Sequence, residues 1–529
     1  MTDKFDFVVI GGGSAGCVLA SRLSETGDAT VALIEAGGDP DPVLSRIPGA
    51  APRQWDTKSD WRFRTVAQQG LYDRVVDYPR GRVLGGSSVL NFMIYVRGNA
   101  GDYNHWAQLG NTGWGYEDVL PYFIRAEANA EFSDAYHGTK GPLSVAQNRH
   151  SHPLCEVFFE AAQQSGIPYN PDINGASQFG CGYMQATLRD GIRCDTATAY
   201  LDPVKDRQNL TVIKEALVTR IVTEKGRAVA VEYLENGRTP KKLHAGAEIV
   251  VAAGSIGSPH LLMLSGIGPA DHLSAHGIEV VLNNPAVGQN LEDHYSQDGV
   301  TRQLKNPAEI LDVLPTNFEG AVRDFERTGG GGLATMGIDA VAFHSVDPGA
   351  EYPQFQSIFS VKPSDMFQPA SGREGARVAL GGYPCRLNSR GSVMLASANP
   401  LDAPLIDPNY FSDPEDMRLM KAQHRRNAEI LNTSDFDAIC EGRAEPVIED
   451  ELELEYFIRQ TASTIWHPTS TCRMGPGEEA VVGPDLGVHG IPGLSVCDAS
   501  VMPGMVSGNI NAAVIMVAEK GSDLIRARH

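Results

Sequence analysis

A chain of 529 residues is too long for one ordinary hydrophobic core, so two interleaved domains or one large α/β body is expected. Its 42% hydrophobic and 21% charged content suit a globular enzyme, and a formal net charge of -21 at a pI near 5.1 disfavours nucleic acid and anionic membranes as partners. No apolar run is long enough for a transmembrane segment, the eight cysteines lack metal-ligand spacing, and no leader is visible, so a metal-free cytoplasmic protein is expected.

Residues 5–10 read as a buried strand, followed by glycines and then by apolar residues at helical spacing from Cys17 to Leu23. Residues 30–35 supply a second strand and complete a βαβ unit. Within it Gly11-x-Gly13-x-x-Gly16 has the dinucleotide spacing. Gly11 allows a tight turn, Gly13 lets backbone approach a pyrophosphate with Ser14 and Ala15 opening the helix, and Gly16 lets the helix lie against the sheet. Glu35, followed by Ala36, stands where a carboxylate meets ribose hydroxyls and repels a 2′-phosphate. A glycine turn made only for packing is the plain alternative, and the loop alone does not choose between NAD and FAD.

Further strands are expected at residues 247–253 and 494–498, with helices at 260–264 and 512–526, so nucleotide-binding segments occur at the start, middle and end. The expected fold class is α/β: a discontinuous Rossmann-like domain of residues 1–150, 208–304 and 462–529, and a substrate-binding α+β domain of residues 151–207 and 305–461. Strands are expected in the latter at 354–359 and 392–396. The glycine run from Thr328 to Leu333 reads as a loop near the entrance or a plain linker.

Longer strings narrow the ligand. The segment from Gly81 to Gly98 (GRVLGGSSVLNFMIYVRG) and that from Gly254 to Gly268 (GSIGSPHLLMLSGIG) resemble, in order, the two signatures of the glucose–methanol–choline (GMC) oxidoreductases. The resemblance continues through NPAVGQNLEDH ending at His294, SRGS from Ser389, IDPNY ending at Tyr410, the His467 segment and Asp498-Ala499-Ser500, and thins between about 305 and 378. It implies FAD, with Arg82, Gly85, Gly86, Ser87, Asn91, Phe92, Met93, Val218, Asp498, Ala499, Asn509 and Asn511 joining the glycine loop around it. Gly85, Gly86 and Ser87 are expected to offer N–H and hydroxyl donors to the pyrophosphate; helix capping by Ser87, Ser88 and Asn91 is the alternative. Some relatives tether FAD through a histidine where this chain has Leu90, so FAD is expected to be non-covalent.

Oxidising an alcohol by hydride loss requires the hydroxyl proton to leave, and histidine has the suitable pKa. The resemblance puts that role on His467, in WHPTSTCRMG, with hydride passing to flavin N5. It gives the second catalytic position, His or Asn among relatives, to Asn509, which can hold the substrate oxygen but not act as a base; capping the last helix is its alternative. Phe92 and Trp466 are the substrate-contact candidates. The expected activity is oxidation of a primary alcohol to an aldehyde, with electrons passing to a quinone-like acceptor. Alternatives are an oxidase using O2, a hydroxynitrile lyase-like enzyme that keeps FAD as structure, and an NAD enzyme. A monomer or homodimer is expected.

Overall fold

A computed structural model describes residues 3–148, 150–306, 318–362 and 376–529. The apolar run at the N-terminus forms the strand Lys4–Ile10, which pairs in parallel with Val31–Ile34 on one side and Thr239–Val251 on the other. A strand flanked this way is buried on both faces, which explains its nearly continuous apolar sequence. Leu210–Ile213 extends the sheet beyond Val31–Ile34, while Arg227–Glu235 and Ala216–Glu224 extend it by antiparallel pairing beyond Thr239–Val251. That 13-residue strand pairs with Arg227–Glu235 through its first half and with Leu494–Val496 through its last residues. The sheet thus has seven strands drawn from both ends of the chain.

Helices Ser14–Leu23 and Asn511–Arg526 meet on this sheet. Ser14 donates to Asn511 Oδ1 at 2.7 Å, and buried Glu519 accepts from Arg22, Arg125 and Tyr200 at 2.9, 2.7 and 2.8 Å. A buried carboxylate with three partners is costly to break, because removing them leaves a desolvated charge.

A second, antiparallel sheet runs Val300–Gln303, Arg377–Pro384, Phe355–Lys362, Ala340–His344 and Gly180–Tyr183. Helix Pro414–Leu431 packs on it, with Gln423 donating to the Gln356 carbonyl at 3.1 Å. Val300–Gln303 lies on the nucleotide-binding side of the expected boundary at 304, yet belongs to this sheet. Arg302 fastens it there through Leu431 O and Asp437, at 2.9 and 2.6 Å, so the change of layer precedes residue 300.

For the glycine run the plain-linker reading holds and the entrance reading does not. Helix Phe318–Thr328 ends into Gly329, whose φ is 67°, and Leu333 is buried beside Ile47, Ala50 and Phe325. The run stops a helix and feeds a core, and it does not line the main cavity. Among the described residues no helix is long and apolar enough to cross a membrane.

Candidate active site

The ends of the central parallel strands open on a cavity of about 880 Å³. Its first wall is backbone. A Cβ at Gly16 would stand 1.8 Å from the Gly11 carbonyl oxygen, and one at Gly86 would stand 2.6 Å from Gly13 Cα, so only glycines let the loop, the helix and the second glycine segment touch. Helix Ser14–Leu23 starts against the cavity with no side-chain cap, leaving its first N–H groups and positive dipole end for an anion. Gly11, Gly13, Ser14, Ala15, Glu35, Ala36, Arg82, Gly86, Ser87 and Val218 line this part, whereas Gly16 and Gly85 do not.

The expected donors are corrected in two places. The Gly85 N–H donates to Gly12 O and the Gly86 N–H to Val83 O, both at 2.7 Å, so neither is left for a pyrophosphate. The Gly85 bond fastens the signature segment onto the first glycine loop, and the Gly86 bond closes a turn within the segment itself. Ser87 Oγ accepts from the Gly81 N–H at 3.1 Å and keeps its own proton to donate. N-terminal capping does not explain Ser87 and Ser88, since the helix Ser87–Leu90 has no side-chain N-cap bond, while Asn91 does follow it as the C-cap residue.

Glu35 accepts from the Gly12 and Gly37 N–H groups, each at 2.7 Å. Burial pushes its pKa up to about 7 against these N–H groups, and each oxygen retains a lone pair toward the cavity. Asp498 differs. It accepts from Gly254 N, Ser258 Oγ, Ser500 N and Ser500 Oγ at 2.6–2.8 Å, which fills its four lone-pair directions. Its carboxylate fastens the C-terminal segment to helix Gly254–Leu264, and with Ala499 it offers the cavity backbone rather than a free acceptor.

Asn91, Phe92, Met93 and Asn511 also line the cavity. Asn91 Oδ1 accepts from Met93 N at 3.0 Å and from buried Arg193 at 2.8 Å, so its amide N–H groups are turned away from both. Sequence reasoning missed Arg193, because a lone arginine carries no motif. Leu90, 4% exposed, offers no nucleophile.

At the far end His467 faces the cavity from a loop, and its ring nitrogens are both engaged. Nε2 is 3.2 Å from Asn509 Nδ2 and Nδ1 is 3.1 Å from His294 Nδ1. The preceding Trp466 has φ 66°, rare for a bulky residue, and is pinned by its N–H to Thr464 and by Arg80 on its carbonyl, each at 2.7 Å. Asp293 accepts the His467 N–H at 2.9 Å and is itself held by Thr464 and Tyr410. Burial, helped by His294 and Arg80, holds the His467 pKa well below the ordinary value, so the ring is neutral. Asn509 does not cap the last helix, which has no side-chain N-cap bond; its Oδ1 instead accepts from Gln356 at 3.1 Å. Trp55, Phe92 and Trp466 form an aromatic cluster on the cavity wall, with ring centroids 4.8–6.1 Å apart.

Asp293, His294, Gln356 and Tyr383 were also missed. The first two close the NLEDH string, whose role the sequence does not declare; the others lie where the family likeness thins or in a strand without a motif. Elsewhere, Asp134, His137 and Asp172 cluster closely enough to suggest a metal. Yet both His137 nitrogens are bonded, to Glu127 at 2.7 Å and Asp172 at 2.9 Å, and against burial those carboxylates raise its pKa to about 9. An imidazolium has no lone pair for a metal.

A dinucleotide-binding wall leading to a neutral histidine paired with an amide defines a cofactor-dependent oxidoreductase site. The family models for GMC oxidoreductase match residues 5–296 and 388–518. The chain is 40% identical to choline dehydrogenase, mitochondrial, of Homo sapiens over 551 residues, covering 99% of this chain and 90% of that protein. It is 40% identical to oxygen-dependent choline dehydrogenase of Brucella suis biovar 1 (strain 1330), covering 99% and 96%. Among solved structures it resembles pyridoxine 4-oxidase from Mesorbium loti, at 32% identity and TM-score 0.89 over 99% of both chains. Formate oxidase matches at 27% identity and TM-score 0.92 over 99% and 98%. The chain belongs to the GMC oxidoreductase family, with its fold. It is an FAD-dependent flavoprotein that oxidises alcohols, acting on CH–OH donors. The uncapped helix terminus, the glycine contact that side chains would fill and the free lone pairs of Glu35 fit an extended dinucleotide.

Proposed function

We propose that this enzyme oxidises a primary alcohol to an aldehyde, with His467 as the base and Asn509 holding the oxygen, and passes the electrons to a non-oxygen, quinone-like acceptor. The observation carrying this reading is a neutral His467 whose Nε2 lies beside the Asn509 amide on the cavity wall. Bound FAD supplies the acceptor for the alcohol's hydride. The alcohol O–H gives its proton to His467 Nε2 as the carbon loses hydride, so the product is a neutral aldehyde. Asn509 Nδ2, beside that nitrogen, has an N–H to donate to the same oxygen and so fixes the C–H direction. Because Asn509 has no basic lone pair to offer, proton removal rests on His467.

The cofactor is held non-covalently in this reading: the covalent-link position is an aliphatic leucine, and the Ser14, Ser87, Glu35 and Asn91 side chains supply polar contacts. Trp55, Phe92 and Trp466 form an apolar, π-rich wall for the substrate's non-reacting end. Such a wall suits an aryl or aliphatic group, and also a quaternary ammonium like that of choline, the substrate in the relatives' names. The name of the human choline dehydrogenase supports a non-oxygen acceptor, whereas the oxygen-dependent choline dehydrogenase of Brucella suis and the solved pyridoxine and formate oxidases keep the O2 reading open. The eight unpaired, buried cysteines support a reducing, cytoplasmic setting, and the enzyme is read as a monomer or homodimer.

The test is anaerobic mixing with choline, benzyl alcohol and 1-octanol. Bleaching of the flavin by at least one of them, followed by faster reoxidation with a quinone than with O2, is expected. No bleaching by any alcohol would contradict the reading and favour a lyase, and stoichiometric peroxide at a faster rate with O2 would make it an oxidase.

A further inference from the structure

The hydrogen bonds around His467 form one directed chain whose polarity is set from outside the ring. The Cys385 carbonyl can only accept, so His294 Nε2, 2.8 Å away, must carry a proton. His294 is wholly buried, and burial holds its pKa near 4 although this carbonyl opposes the shift, so the ring is neutral. Its Nδ1 is therefore bare. The Nδ1 of His467, 3.1 Å away, must then be the donor, which leaves His467 Nε2 unprotonated, an acceptor on the cavity side.

The other side of the chain points the same way. Tyr383 O–H donates to Gln356 Oε1, Gln356 Nε2 donates to Asn509 Oδ1 at 3.1 Å, and Asn509 Nδ2 donates to His467 Nε2 at 3.2 Å. Every bond from Tyr383 to Cys385 thus runs in one direction, and the two ends lie two residues apart in the chain. Bonds aligned in this way strengthen one another. The reverse tautomer of His467 would place two N–H groups face to face at Asn509 and two bare nitrogens face to face at His294.

We propose that His294 is a positioning residue that, with the Cys385 carbonyl, locks His467 into the Nδ1–H tautomer, so that the unprotonated nitrogen is the one on the cavity side, held by the Asn509 amide until the alcohol O–H takes that place. This rests on the proposed role of His467 as the base. His294 never touches substrate; it acts through the ring it holds. Once Nε2 takes the alcohol proton, the Nδ1–H of the imidazolium stays bonded to a neutral acceptor. Among the described residues no carboxylate is hydrogen-bonded to that ring to hold the proton, which favours its later release.

Three holoenzyme variants test this: His294→Phe, which keeps the ring volume but loses both bonds; His294→Gln, whose amide can donate to Cys385 O and accept from His467; and His467→Ala. Choline, benzyl alcohol and 1-octanol serve as probes, with flavin content measured for each variant. His294→Phe should retain flavin, lose about 10- to 100-fold in kcat, and change KM less than about threefold. His294→Gln should recover most of the loss. A His294→Phe enzyme within about twofold of the parent, or a His294→Gln enzyme as slow as His294→Phe, would overturn the proposal. A near-parental His467→Ala enzyme would end the underlying function reading and the proposal with it, so the two failures are distinct. If His294→Phe does not hold flavin, the 15N signals of His467 in the parent holoenzyme decide: a protonated Nδ1 and a bare Nε2 support the lock, and the reverse tautomer overturns it.

Discussion

The nucleotide wall and the histidine end share one cavity but are built by opposite means. The wall is backbone against backbone: Gly11, Gly16 and Gly86 work by lacking side chains, and the spacing of the Gly11 to Gly16 loop is local in sequence. The histidine end is side chain against side chain, assembled from His294, Gln356, Tyr383, His467 and Asn509, which arrive from distant segments. The first has no room for a side chain at Gly11, Gly16 or Gly86. The second depends on which atom of each ring or amide carries a proton, so isosteric changes should matter there and volume should matter at the wall.

That contrast breaks first at Gly16. Gly16→Val should prevent recovery of folded, yellow protein, because its Cβ meets a carbonyl that cannot move; a cost of roughly 3 kcal/mol or more is expected. Soluble Gly16→Val protein with a normal flavin spectrum would refute the close contact. Asp498→Ala comes next, leaving the Gly254 and Ser500 N–H groups and the Ser258 hydroxyl unpaired. Its thermal unfolding midpoint should drop, reflecting a loss of about 2–5 kcal/mol.

Arg193 separates binding from stability. Its Nη1 holds Asn91 and the Ser88 carbonyl, while Nε and Nη2 find no partner among the described residues, and burial lowers its pKa to about 10. Arg193→Leu should therefore leave the unfolding midpoint of the apoprotein nearly unchanged, yet weaken FAD binding about tenfold by freeing Asn91. Fluorescence titration of apoprotein with FAD measures this.

Acid should act mainly through buried histidines. Burial holds His260 and His294 near 4, His344 near 3 and His467 well below the ordinary 6.5. The unfolded chain takes up these protons as pH falls through 6.5 and the native state does not, so stability present above 6.5 is lost toward pH 4. Thermal melts across that window should show a falling midpoint, and the acid limb of kcat/KM should lie below 6.5. The smallest effect is expected from Tyr383→Phe, which removes the first donor of the chain but leaves Gln356 and Asn509 able to pair: less than about tenfold in kcat.

The sheet's first strands were legible because a parallel strand buried on both faces must be nearly continuously apolar, and residues 7–10 and 31–34 are. The strand at 300–303 was not legible as part of the second sheet, since four residues carry no mark of the partner they choose. At the site, His467 and Asn509 stood out through long motif strings, whereas the bonds among them did not. Nothing in the order of residues shows that His294 reaches a carbonyl at Cys385, or that the Gly85 and Gly86 N–H groups are used within the protein. Those are facts of folding at a distance.

The most direct measurement is the rate of anaerobic flavin reduction by alcohol in His467→Ala enzyme that has been shown to retain its FAD. The account predicts a rate about 100- to 10,000-fold below the parent's. A rate close to the parent's would contradict it, and the base would have to be sought elsewhere in the cavity.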